Sequence, residues 1–392
     1  MFMNMHLIRG CIIALLLGCA GEHERTVSTS EDEQYGDGDR TGDGDGDNGD
    51  GDGDNGDGDG DAGGGGHDGG GDGDGDGDGD GDGGVATTGV IGPLSYEIIP
   101  NASGTDVLMP LAISDEGHVL FQGVLGSDTN SFYVWRGGPN EPAKLELPAG
   151  YSVIRTNGNG CLLSGDRVIV ALDKGGQQAL VILEGDTIEE IAIDAGVLRV
   201  NVVACNEAGQ ILALAGRSNS SALWLVSTDG TSPQEVYNGQ VVGMNEAGVV
   251  GFANTYWQGG ELLTDPFADF DFTAVSGPSA SSTMLGYVEA GSRQTPSILA
   301  IASGEVAPVA PLQDIKAGPK AAWMLENGDY VVSATVSSPL RDVLLLFHEG
   351  SYTMLEPGGI TASSVIESNS HGDVLVRLPG RDHVAAVLKL RD

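Results

Sequence analysis

Positive charge is scarce in this chain. Only 18 Lys and Arg stand against 57 Asp and Glu in 392 residues, a formal net charge of −39 at pH 7. A field of that sign repels nucleic acid and anionic membrane surfaces, so neither is expected as a partner. Long apolar runs are missing too, and no stretch reaches the ~18 residues that would read as a membrane-spanning helix. Signatures of chemistry are equally thin. There is no H-E-x-x-H, no G-x-S-x-G elbow and no phosphate loop, and His118, His348, His371 and His383 lack the paired spacing of a zinc site. Ser227-Thr-Asp229-Gly230 reads as a hairpin turn. Aromatics are 5% of the chain, and its four cysteines fall at 11, 19, 161 and 205.

The first residues are where apolar character concentrates. Arg9 precedes the run CIIALLL, which is too short to span a bilayer and reads as the core of a signal peptide over residues 1–18. Leu16-Leu17-Gly18-Cys19 resembles the bacterial lipobox. In that family cleavage falls before the cysteine and its sulfur carries a diacylglyceryl group, so Cys19 is the expected lipidation site. Ala20 in the next position implies outer-membrane sorting. Two or three acyl chains, at ~0.8 kcal/mol per buried CH₂, anchor a protein without a spanning helix. The expected location is therefore exported, lipid-anchored, at the outer membrane or cell surface, with the lipid as the only membrane contact.

Residues 19–84 follow as an acidic linker. Gly36 to Gly84 holds 25 Gly and 18 Asp with Arg40 as its one base, and has no apolar area to offset an ordering cost of ~1–2 kcal/mol per residue. Disorder is expected. Asp43, Asp45, Asp47 with Asp54, and Asp50, Asp52, Asp54 with Asp61, match part of a calcium-loop spacing. Neither window has the buried aliphatic or flanking helices of such a loop. Weak, nonspecific Ca²⁺ association is the most this tract is expected to show, and no other cofactor is expected.

From residue 85 to 392 the composition becomes that of an all-β domain, with 34 acidic against 15 basic residues. Short apolar runs such as RVIVALD, ALVILEG, ALWLVS and DVLLLFHEG end at Gly, Asn, Asp or Ser, and no helical period persists. They are also repetitive. Ser114-Asp-Glu-Gly117 is followed by Asn206-Glu-Ala-Gly209, Asn245-Glu-Ala-Gly248 and Asn369-Ser-His-Gly372, with looser copies at Asn157–Gly160 and Asn327-Gly328. A degenerate copy is expected near Ser279. An Asn or Ser side chain bonds the backbone two residues on, and Gly takes the positive φ that closes the turn. Units of roughly 40–45 residues match the blades of a β-propeller. Seven blades are expected, with six or eight as alternatives, and LSYEIIP pairing with HVAAVLKL would close the ring.

The unit N-x-x-G-x-x-x-F, complete at Asn245, Gly248 and Phe252, resembles the tandem repeat of exported bacterial propeller-like proteins with varied surface anchors. The resemblance implies the fold and the exported location, and no activity.

One stretch departs from the repeat. Tyr256-Trp257 and the following TDPFADFDF bring Asp265, Asp269 and Asp271 near Phe267 and Phe270. Carboxylates at that spacing are candidates for a hard cation, and Tyr256, Trp257, Phe267 and Phe270 for stacking on a sugar or peptide. The competing reading is a blade insertion whose aromatics pack inward. Cys161 and Cys205 border the turns of consecutive units, so a disulfide is possible in an exported protein. The expected function is a monomeric surface lipoprotein presenting a propeller that binds a protein or glycan. The alternative is an exported propeller hydrolase or lyase acting on a polysaccharide, and Asp, Glu, His or Tyr converging on the channel mouth would favour it.

Overall fold

The computed structural model describes residues 86–391 apart from 103–106, 126–130, 155–159, 194–196, 218–219, 238, 265–266, 312–319, 338–339 and 381–382. Cys19, the Gly/Asp tract with its two calcium-loop windows, Asn157 and Asp265 therefore lie outside the described residues.

Seven antiparallel sheets succeed one another along the chain, and they are the seven blades of a β-propeller. The first blade runs outward from the axis through Val107–Ile113, Val119–Leu125, Phe132–Trp135 and Ala143–Lys144. Blades three to six repeat that meander from the inner strands Arg199–Cys205, Val241–Met244, Phe272–Ser276 and Lys320–Met324. The seventh takes strands from both ends of the chain. Ser364–Ser368, Val374–Arg377 and His383–Leu390 are joined by Leu94–Pro100, with Thr88–Ile91 outermost. Leu94 pairs with Leu390 and Ile98 with Ala386, so LSYEIIP and HVAAVLKL do close the ring. Among the described residues a helical turn at Phe267–Phe270 and a 3-10 turn at Pro357–Gly359 are the exceptions to β structure.

Packing follows from this arrangement. Seven clusters of buried apolar side chains lie one between each pair of neighbouring blades. A strand covered on both faces has no polar side to show, which is why Val168–Leu172 and Leu180–Leu183 are buried without a break. The inner strands share a further feature that has no mark in the sequence. In six of them the register slips by one residue at the same place, at Leu111, Val203, Val242, Val275, Ala322 and Ile366. Such a bulge bends a strand locally and re-aims the side chains beside it.

The repeated turn joins the inner strand to the second strand of each blade. Gly117, Gly209, Gly248, Gly328 and Gly372 all take positive φ, from +74° to +90°. Ser282 fills the same place in the fifth blade with φ +56°, so the weak copy near Ser279 is a real turn written without Asn or Gly. Two looser copies need correction. The sixth turn starts at Leu325, whose N–H donates to the Asp329 carbonyl, and Asn327 is its third residue. In the second blade Gly160 is no turn residue. It opens the inner strand Gly160–Leu163, where an added Cβ would meet Val170 Cγ1 at 2.8 Å, and the turn follows at Ser164-Gly165-Asp166.

Candidate functional site

The turns between inner and second strands gather around one end of the channel. Their first residue is a hub. Asn245 Oδ1 accepts from the N–H groups of Ala247 and Val249 at 3.1 and 2.9 Å, which shapes its own turn. Its Nδ2 then donates to Ser279 O of the next blade at 2.8 Å. Asn206 donates in the same way to Asn245 O at 3.1 Å, and Asn369 to Ser114 O at 2.9 Å across the closure. These asparagines are buried because their amides are fully used.

The second residue of the turn works in the opposite direction. Glu246 accepts from Glu207 N–H of the preceding blade at 2.9 Å. Glu207 accepts from Ser164 N–H at 2.9 Å and reaches past the second blade to Asp115 N–H at 3.1 Å. Asp115 accepts from Ser370 N–H and Oγ at 2.9 and 2.6 Å. Each such turn thus donates an amide forward or receives an N–H from behind, and the bonds run from the seventh blade through the first to the fifth.

These bonds bring carboxyl groups together. A side chain that spans two blades, as Glu207 does, must run near the axis. Glu326 of the sixth turn and Glu367, two residues before Asn369, join the group there. Burial holds Glu246 above the ordinary carboxylate range, helped by the charges of Asp115 and Glu207. Burial, then the Glu246 and Asp115 charges, raise Glu326 to about 7, and its Oε2 is buried without a hydrogen-bond partner. Glu367 is raised to about 8 by burial, against the bond that its Oε2 accepts from Ile113 N–H at 2.9 Å. No residue of this cluster figured among the sequence candidates. The signal was present, since an acid recurs in second place in S-D-E-G, N-E-A-G, N-E-A-G and L-E-N-G.

The fourth-blade insertion has a different outcome. Tyr256, Trp257 and Phe267 are buried, and Phe267 packs between Tyr256 and Phe272 with centroids 6.3 and 5.9 Å apart. Core packing takes up these three aromatics, which removes them as exposed stacking residues, while Phe270 is exposed. Asp271 adopts φ +50° at the end of the helical turn. Asp265 lies outside the described residues, as does the side chain of Asp269. Among the described residues no group of three His, Cys, Asp or Glu is placed to hold a metal ion. Cys161 and Cys205 are brought together, with Cα atoms 6.0 Å apart and the sulfurs bonded, joining the inner strands of the second and third blades.

A cavity of about 310 Å³ opens between the sixth blade and the segment leading into the seventh. Ser333, Asp342, Thr361 and Ser363 line it beside Val343 and Leu344. Asp342 Oδ1 accepts from Thr335 Oγ1 at 2.6 Å, Thr361 Oγ1 donates to Glu356 at 2.7 Å and Ser363 Oγ to the Arg377 carbonyl at 3.1 Å.

No protein-family model matches the chain, and no curated protein matches its sequence. Among solved structures it is similar to an oligogalacturonate lyase from Vibrio parahaemolyticus at 12% identity, over 78% of this chain and 99% of that one, with a TM-score of 0.49. The β-propeller domain of the trilobed protease from Pyrococcus furiosus is 12% identical over 73% and 95%, TM-score 0.46. A streptogramin B lyase is 13% identical over 76% and 98%, TM-score 0.45.

Proposed function

We propose that this propeller is a binding module for a protein or glycan, displayed on an acidic tether from a lipidated Cys19 at the outer membrane or cell surface. The observation that carries the binding reading is the engagement of the axial acids. Asp115, Glu207, Glu246 and Glu367 accept main-chain N–H bonds from other blades, so they serve to join blades. A general acid or base needs a carboxyl group that can reach the substrate proton. The 310 Å³ cavity beside the seventh blade is the seat we assign to a ligand, because its hydroxyls and the Asp342 carboxylate suit the hydroxyl groups of a sugar unit.

The second reading, an exported hydrolase or lyase acting on a polysaccharide, draws on Glu326, whose raised value near 7 suits an acid catalyst. Its unpartnered Oε2 is closed to solvent, and this favours the binding reading. Residues 86–392 should retain a glycan or protein from the producing cell's surface on a column, and Asp342→Ala should weaken retention about tenfold, as loss of a charged hydrogen bond does. New reducing or unsaturated ends from polysaccharides, abolished by Glu326→Gln, would instead establish the enzyme. Palmitate labelling that is present in the wild type and lost in Cys19→Ala would test the anchor separately.

A further inference from the structure

Five blades each contribute one carboxyl group to the turn end of the channel: Asp115, Glu207, Glu246, Glu326 and Glu367. Glu326 faces Glu246 and Asp115, and the Ala280 N–H donates to its main-chain oxygen at 3.1 Å. Glu367 faces Glu207 and Glu246, and takes the Ile113 N–H. The cationic groups at this end lie to the side. Lys389 Nζ sits over Gly117 near Asp373, and His371 Nδ1 meets the Asp115 main-chain oxygen at 3.1 Å. His118 and Arg136 pair with Asp166 of the second turn, and His348 with Asp329 of the sixth. Among the described residues none of them bonds Glu326 or Glu367. A fully ionised cluster would place like charges together at half-buried positions, where repulsion is screened less than at the open surface.

We propose that this end of the ring is locked while Glu326 and Glu367 stand as protonated carboxyl groups, and that repulsion within the acid cluster loosens it when the protons leave. Burial first, and neighbouring acids second, support this by raising the two groups to about 7 and about 8 from 4.5. The direction of the effect follows. A group whose folded value is raised contributes its full stability below the unfolded value and loses it as pH rises through the folded one. The ring should therefore be firmest near pH 5 and weaken toward pH 9. Glu116, Asp166, Glu190 and Asp229 have lowered values, so their contribution is lost in stronger acid and falls outside this window.

Thermal unfolding of the full chain between pH 5 and pH 9 tests the lock. The midpoint of the wild type is expected to fall by several degrees across that range. Glu326→Gln with Glu367→Gln keeps the acceptor oxygens and leaves only Glu246 of the raised acids to titrate, so its midpoint should fall much less than that of the wild type. A wild type with a level profile, or a double variant with the wild-type slope, overturns the proposal. Infrared difference spectra of the wild type supply a readout independent of any variant. A protonated-carboxyl C=O band present at pH 6 and gone at pH 9 supports the lock, and its absence at pH 6 defeats it.

Discussion

Asn245 serves three partners with one amide: two N–H groups of its own turn and a carbonyl of the next blade. It is 0% exposed, so water cannot replace any of them. Asn245→Ala should lower stability by about 2–3 kcal/mol, the scale for leaving buried polar groups unpaired. Asn245→Asp keeps the acceptor but sets a carboxylate against the Ser279 carbonyl, and should be no milder at pH 7. Urea unfolding measures both, and an alanine variant within about 0.5 kcal/mol of wild type would contradict the latch. The local half of this role was legible, since Asn before x-x-Gly marks a turn. The other half was hidden because the partner lies 34 residues on and is a main-chain oxygen, which carries no residue signature. Ser282 was hidden for the opposite reason. The surrounding blade imposes a left-handed backbone on a residue that does not advertise it.

At the scale of elements, the second blade departs from the rest in its inner strand, which is split into Ser152–Val153 and Gly160–Leu163. Its turn lacks Asn, so it cannot donate an amide to the third blade as the third does to the fourth. Cys161–Cys205 spans that junction instead, from inner strand to inner strand. Closing a loop with a sequence separation of 44 restricts the unfolded chain by about 4 kcal/mol in the loop-entropy account. Reduction, or Cys161→Ser with Cys205→Ser, should lower the free energy of unfolding by roughly that amount or somewhat less. Equal denaturation midpoints with and without reductant would show that the bond contributes nothing. Strands were readable from apolar runs, yet the second blade's turn was misplaced by about five residues. Gly160 looked like a turn glycine, but it is glycine because Val170 packs against its Cα.

For the whole molecule, closure is the decisive event. Seven core layers lie between blades, so an open ring would expose the layers on both sides of the gap. Deleting residues 86–100 removes two strands of the seventh blade and should abolish cooperative unfolding, while deleting residues 20–85 should leave the midpoint unchanged. Calorimetry distinguishes the two, and a cooperative transition in the 86–100 deletion would refute the role given to closure. Blade number and closing strands were legible because both depend on periodicity and on apolar runs at the two ends of the chain. The axial acid cluster was less so. It arises only when turns distant in sequence are wrapped onto one axis, although the acid in second place of the repeat was there to be noticed.

The edge of the seventh blade has a mechanical consequence. The chain enters the ring through Thr88–Ile91, an outermost strand held to Leu94–Pro100 by four register pairs, from Thr88 with Glu97 to Ile91 with Leu94. Tension transmitted through the chain ahead of residue 86 is applied at the open end of that hairpin. It would peel the pairs one at a time, and the short strand would yield as a fuse. Leu94–Pro100, pinned in turn to His383–Leu390 by seven pairs, would take the load only afterwards.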